Sequence, residues 1–431
     1  MTCVNGNCSS WTSISALTIC TDYSVVLDVS SGEKSTTELL PLNTQFSITF
    51  ASSAWFTALV IGGNSPWYVT SRINTMIRPD GLINSSPIAV TLPIIYKQIN
   101  IQHVHTIQMV DFDRTDILKC RWSSASSNIN SYNECGGVCN GVPGATLLIS
   151  SNCTLQFTLT AANQYAAVAI QIEDYFNSVA TTPMSSVPLQ FLFYGYAAPS
   201  GCNTPPAIIG VRPNRACVGT PISGAVTETI IVQTFCAGTA IIDIISTSPV
   251  GMTKSAISNP NSGIYQITLS WTPSASQYGT QGLCAAAVDS SNIQSDQWCI
   301  AYLVGITAPQ FSQNTASPVG IVYANQTVFS IQADKPVCRP SRNGTYIYFW
   351  DTITGGSLIQ KFDCGWAPEV TYTGYTITIQ FSVAPWITGH SYYITFDSGT
   401  FELHFTYISF LNNLIFFIIS GVVSGLDSCG K

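Results

Sequence analysis

Short runs of β-branched and aromatic residues, alternating with polar ones, recur along almost the whole chain. Phe46-Ser-Ile-Thr-Phe50, Tyr265-Gln-Ile-Thr-Leu-Ser-Trp271 and Tyr375-Thr-Ile-Thr-Ile-Gln-Phe381 are three of them. Successive side chains on a strand point to opposite faces, so such a run buries one face and wets the other. Gly, Pro, Asn and Ser bound the runs, and no long, capped amphipathic helix precedes the C-terminal stretch. The pattern predicts an all-β protein of tandem Ig-like or cadherin-like β-sandwich modules. With 431 residues, there is room for about three or four of them.

Proline and glycine punctuation divides the chain. Tyr196-Ala-Ala-Pro-Ser-Gly-Cys-Asn-Thr-Pro-Pro206 and Gly305-Ile-Thr-Ala-Pro309 read as linkers, and a softer boundary lies near residues 98–106. The expected modules are residues 1–100, 101–196, 200–306 and 307–399, followed by an apolar segment at 400–431. A weak repeat supports the middle pair. Gln164-Tyr165, a small-residue strand ending at Asp174 and a final apolar strand at 187–193 correspond to Gln277-Tyr278, Ala285–Asp289 and 297–302.

Only 9% of residues are charged, against a usual fraction near 25%. Disorder is excluded as the reason, because 46% are hydrophobic. The net charge of −7 includes no basic block, which argues against nucleic acid as a partner. Fifteen cysteines without paired zinc knuckles predict disulfides and an oxidising, extracellular compartment. By proximity, Cys120, Cys135, Cys139 and Cys153 pair among themselves, and Cys338 with Cys364. Cys284 and Cys299 pair with Cys236 or with each other. An odd total leaves one cysteine for a link between chains or a partner beyond this chain. Five sequons, at Asn7, Asn84, Asn152, Asn325 and Asn343, point to N-glycans and secretion. The first eight residues have neither a basic nor an apolar stretch and do not read as a secretory leader.

Particular residues carry a resemblance. Asp111-Phe-Asp113-Arg-Thr-Asp116 before Cys120-Arg-Trp122 makes residues 106–196 resemble a cadherin-like or HYR-like module. Trp271-Thr-Pro, Gln277-Tyr-Gly and Cys284-Ala-Ala-Ala-Val-Asp289 place residues 207–305 in the same broad class. Ser317-Pro-Val-Gly320, Lys335-Pro-Val337 and the run from Gly389 to Gly399 make residues 315–399 similar to a bacterial-type Ig-like module. The whole resembles the large secreted multi-module proteins of invertebrates, rotifers in particular. That resemblance implies fold rather than activity, and implies calcium near module junctions.

Asp111, Asp113 and Asp116 are the leading candidate site, with Asp174 and Glu173 as further ligands if the strand ends converge. Clustered carboxylates suit a hard cation such as Ca²⁺, although the EF-hand spacing is absent. The plain alternative is a solvated acidic turn. His103-Val-His105 reads as two strand-surface histidines, with a metal site as the lesser reading. Four histidines and no G-x-S-x-G elbow give no support for a nucleophilic triad, so no enzyme is expected. Trp55, Trp67, Tyr68, Trp350, Trp366 and Trp386 suit either sandwich cores or a sugar-stacking platform.

Residues 405–426 carry no charge. They read as an insert that interrupts the last strand (residues 400–420), a membrane anchor or an interface segment. The leading expectation is a secreted, glycosylated structural or adhesive protein, its modules stacked end to end. Its partners would be other extracellular proteins or further copies of itself. The alternatives are a carbohydrate- or ligand-binding receptor ectodomain and, third, an extracellular hydrolase with accessory modules.

Overall fold

The structure is a computed structural model that describes residues 1–403, except 9–10, 112–115, 151–152, 178, 211, 213, 215, 306–309, 313, 321–324, 335–336, 339, 341–343, 353–355, 374, 388 and 398–401. The chain divides into two compact units, the first covering Met1–Ile306 and the second Thr307–Tyr407. Both are all-β. Among the described residues no helix is long and apolar enough to cross a membrane. The uncharged stretch 405–426 lies outside them.

Two sandwiches in the first unit share one strand order. In the earlier one, Ile94–Gln98 runs parallel to Ser185–Tyr196, which pairs antiparallel with Gln164–Tyr175, which pairs with Ile117–Trp122. In the later one, Ala216–Thr220 runs parallel to Trp298–Val304, followed by Gly279–Asp289 and Ile241–Thr247. The second layers correspond too. Gln102–Thr106, Thr154–Thr158 and Thr146–Ile149 pair as do Val226–Gln233, Ile264–Trp271 and Thr253–Lys254. The Gln-Tyr repeat lies at the equivalent hairpin in each sandwich.

The boundary expected near 98–106 is crossed by a sheet. Thr2–Gly6, Gln45–Ser52 and Trp67–Asn74 form an antiparallel ladder that continues the first sandwich through Arg72 opposite Ser186. Ser185–Tyr196 is 12 residues long. Its far half receives Ile94–Gln98 and its near end receives Trp67–Asn74. An open edge exposes unpaired backbone groups, and the N-terminal hundred residues supply partners for that edge rather than closing a sandwich of their own.

The two sandwiches are not beads touching at their ends. Gly279–Asp289 is buried along nearly its whole length. Leu283, Ala285 and Ala287 face the core of their own sandwich, against Ile230, Ile267 and Trp271. Cys284, Ala286 and Val288 face the other way, into the core of the first sandwich with Val90 and Leu92. Small side chains let the two bodies approach closely: a Cβ at Gly282 would lie 2.2 Å from Val90 Cγ2. The hairpin Ile19–Ser24 and Val29–Glu33 also docks on the later sandwich. Asp22 accepts hydrogen bonds from the Ser246 backbone N–H (2.7 Å) and from Lys254 Nζ (2.9 Å).

A buried polar network pins the long connection between Trp122 and Thr146. Arg121 meets Glu134 with both guanidinium tips at 2.7 Å and Glu173 through Nε at 2.8 Å. Glu134 also accepts from Asn130 Nδ2 (2.6 Å) and the Ser124 N–H (2.9 Å). Burial pushes the Glu134 carboxyl upward, but these hydrogen bonds and the Arg121 charge hold it below the ordinary carboxylate range.

Disulfides join Cys3 to Cys8, Cys120 to Cys153, Cys135 to Cys139, Cys202 to Cys236 and Cys284 to Cys299. Cys236 therefore goes to Cys202, a partner the spacing does not indicate, because Cys284 and Cys299 sit directly opposite each other on neighbouring strands. Cys364 is buried, and the side chain of Cys338 lies outside those described.

The second unit places Val328–Gln332, Thr376–Gln380 and Val370–Thr373 in one sheet, and Ser357–Asp363, Tyr346–Asp351 and Tyr392–Phe396 in another. Its core is aromatic, with Phe329, Phe349, Phe362, Phe381 and Trp386 in mutual contact.

Candidate acidic site

Three of the five acidic residues singled out by sequence meet in the first unit. One carboxylate oxygen from each of Asp111, Asp116 and Asp174 lies within 4.8 Å of the others. Strand pairing explains the convergence. Ile117 is opposite Tyr175, so the residues flanking that pair, Asp116 and Asp174, arrive at one strand end. Asp111 follows the short strand Gln108–Val110, which returns the chain toward the same place. Asp113 lies outside the described residues.

The site is buried rather than a solvated turn. Asp174 is 0% and Asp111 6% exposed, and the Asp116 side chain is fully covered. Asp174 Oδ1 accepts from the Ser185 N–H (2.6 Å) and hydroxyl (2.8 Å), and Oδ2 accepts from Asn84 Nδ2 (2.5 Å). Arg78 forks onto Asp116 at 2.9 and 3.0 Å and reaches Asp80 at 3.0 Å. Burial raises the Asp174 carboxyl above its ordinary value despite the donors around it. Three carboxylates gathered out of water beside the Arg78 guanidinium form an oxygen-rich donor set of the kind a hard cation takes.

Two residues that carry weight at this site are not marked as ligands by the sequence. Arg78 and Asn84 come from a distant loop, and nothing in their local pattern signals the approach. The sequon at Asn84 reads as a glycosylation acceptor, and the fold corrects that expectation. Asn84 is only 3% exposed, its Nδ2 donates to Asp174, and its Oδ1 has no hydrogen-bond partner. A glycan on Nδ2 has no room there. Glycopeptide mass spectrometry of chain produced through a secretory route is expected to find Asn84 unmodified and the exposed Asn7 and Asn325 available. Full occupancy at Asn84 in folded protein would contradict this packing. Asn152 and Asn343 lie outside the described residues.

Glu173 does not join the cluster. As the neighbour of Asp174 on a strand it points to the opposite face, where it binds Arg121. The histidines also depart from the surface reading. His105 is 7% exposed and packs on Phe191 and Phe193, His103 Nε2 lies 2.7 Å from the Gln98 carbonyl, and Val104 between them is 60% exposed. Of the two readings for the aromatic residues, core packing holds for Trp55, Trp67 and Trp386. Trp55 and Trp67 pack on each other, Trp67 donates to Gln190, and Trp386 enters the phenylalanine core. Trp366 is 73% exposed.

No protein-family model and no curated protein sequence matches the chain. Solved structures with local similarity include an endo-fucoidan hydrolase of glycoside hydrolase family 107. That match has 15% identity over 62% of this chain and 43% of that one, with a TM-score of 0.19. Drosophila N-cadherin EC1-3 matches at 11% identity over 72% of this chain and 94% of that one, TM-score 0.18. Fibronectin(III)-like modules of Clostridium thermocellum CbhA match at 8% identity over 51% and 94%, TM-score 0.17. The chain thus spans less than half the length of the hydrolase. At these TM-scores the likenesses carry no argument.

Proposed function

We propose that the chain is an extracellular structural or adhesive protein whose first unit is clamped by a divalent cation, calcium first, held by Asp111, Asp116, Asp174 and Asn84. The observation that carries the reading is the convergence of three buried carboxylates beside the unpartnered Asn84 Oδ1. Carboxylate and amide oxygens are the donors a hard cation takes. The clamp would tie the loop carrying Arg78 and Asn84 to the strand ends at Asp116 and Asp174. It is a mechanical role, suited to a protein that bears load or presents surfaces. Disulfide bonds, all-β modules and low surface charge are compatible with assembly outside the cell.

Calorimetry of the full chain with EDTA and then with excess CaCl₂ tests this. Calcium at 100 times its dissociation constant is expected to add about 2.7 kcal/mol to the stability of the first unit. Asp174→Asn is expected to abolish that gain. Identical melting with and without calcium would retire the clamp. Light scattering under the same two conditions reports whether assembly depends on it.

A further inference from the structure

The second unit carries an aromatic row on its solvent side that forms no part of its core. On Tyr346–Asp351, Ile347 and Phe349 are buried, whereas Tyr346, Tyr348 and Trp350 alternate with them on the opposite face. Tyr393 stands directly across from Trp350 on Tyr392–Phe396 and is 43% exposed. The rings form a continuous row. Centroids are 5.9 Å apart from Tyr346 to Tyr348, 5.8 Å from Tyr348 to Trp350 and 6.2 Å from Trp350 to Tyr393. The last two contacts are near-parallel, at 27° and 14°. Polar groups set the ring orientations. Trp350 Nε1 donates to Thr395 (2.8 Å), the Tyr348 hydroxyl donates to Asp397 (3.1 Å), and Lys361 Nζ lies 4.5 Å from the Tyr346 centroid.

We infer that this face binds a neutral polysaccharide chain. Size decides against a protein partner. Three strands ~4.8 Å apart and six residues at ~3.4 Å rise cover roughly 300 Å². A stable protein interface needs about 800 Å² from each side. A few sugar rings fit that area. Charge argues against an anionic chain: among the described residues of this face Lys361 is the one Lys or Arg, and the carboxylates of Asp363 and Asp397 beside it already accept backbone N–H groups. Parallel aromatic rings interspersed with hydroxyl, amine and carboxylate groups match the apolar C–H faces and equatorial hydroxyls of a neutral sugar. The aromatic residues come from one strand and its neighbour, so the surface is rigid and loses little entropy on binding.

Native affinity electrophoresis of the full chain tests this, in gels containing hydroxyethylcellulose, laminarin or galactomannan, with alginate as the anionic comparison. Retardation is expected in at least one neutral gel and not in alginate. Trp350→Ala and Tyr393→Ala are each expected to weaken binding about tenfold, the loss of one ring contact with its buried area. Trp366→Ala, an exposed tryptophan outside the row, is expected to bind as the parent does. Because Tyr393 is the more exposed, its variant decides the matter if Trp350→Ala fails to fold. Migration unchanged in all three neutral gels overturns the inference, as does undiminished retardation of the Tyr393 variant. Retardation only in alginate, or self-association that the ring substitutions abolish, overturns it as well.

Discussion

Glu134→Ala is expected to destabilise the first unit by about 3–5 kcal/mol, because it removes the bidentate carboxylate from a largely covered guanidinium and leaves Glu173 to balance that charge through one contact. The Glu134 side chain is completely covered, and both of its oxygens are occupied by Arg121, with Asn130 and the Ser124 N–H adding to them. Removing the carboxylate takes the bidentate acceptor from the Arg121 fork, which keeps Glu173 on Nε (2.8 Å), the Trp122 carbonyl (3.1 Å) and, weakly, Ser127 Oγ (3.4 Å). It also frees the connection that Asn130 secures through Ser47 Oγ (3.1 Å) and Asn5 Nδ2 (3.3 Å). Glu134→Gln, which keeps one acceptor and the shape, is expected to lose less. Calorimetry or hydrogen exchange of strands Ile117–Trp122 and Gln164–Tyr175 reads the effect. A loss below about 1 kcal/mol would mean the network is dispensable, as exposed ion pairs usually are.

The same group sets an acid limit. The folded-state pKa of Glu134 lies below its unfolded value. The carboxylate therefore contributes its full stabilisation above the ordinary carboxylate range, and the contribution disappears as pH falls through the lower folded value. Stability of the first unit is expected to drop on acidification below about pH 4, and the drop is expected to shrink in Glu134→Gln. An acid profile identical in parent and variant would assign the acid limit to other carboxylates.

Loss of the Cys120–Cys153 bridge is the second large effect. The two cysteines are 33 residues apart in sequence and 5.4 Å apart between Cα atoms. They tie the strand Ile117–Trp122 in one layer to the residue that leads into Thr154–Thr158 in the other. Closing a loop of that length removes about 3.5 kcal/mol of unfolded-state freedom. Both residues are buried, so Cys120→Ala with Cys153→Ala adds a packing defect to the lost constraint. The double variant is expected to lose about 3–5 kcal/mol. Cys3→Ala with Cys8→Ala, which opens a loop of sequence separation 5 near the surface, is expected to lose distinctly less. Equal losses for the two pairs would show that loop length and burial do not govern these bridges.

The acidic cluster shows how far local pattern reaches. Asp111 and Asp116 are legible because they are close in the chain, and Asp174 because it ends a recognisable hairpin strand. Asn84 and Arg78 carry no such mark, since their approach follows from how residues 75–90 cross the end of the sandwich. Asn84 also shows the converse: a sequon is a local signal, whereas accessibility is not. The surface expectation for His103-Val-His105 fails for a related reason. Period 2 places both histidines on one face but does not say which face is buried, and the neighbouring Phe191 and Phe193 decide that.

Aromatic residues divide on the same line. Alternation along Tyr346–Asp351 is enough to separate Ile347 and Phe349 from Tyr346, Tyr348 and Trp350. Whether the second set is covered depends on what packs over it. Trp386 and Trp350 are both sandwich tryptophans by sequence, yet one lies among phenylalanines and the other beside Tyr393 in the surface row.

By itself, the sequence determined an all-β chain built of short strands and cross-linked by disulfides. These properties follow from side-chain periodicity, cysteine number and turn residues, all of which act over a few neighbouring positions. Tertiary structure alone decided that the N-terminal strands extend an existing sheet, that the two middle sandwiches share a face through Cys284, Ala286 and Val288, and that Asn84 turns inward to Asp174. Each depends on an edge or face left open by one segment and filled by another far away in the chain. The free energy of covering such a surface belongs to the pair, and neither segment carries a local mark of its partner.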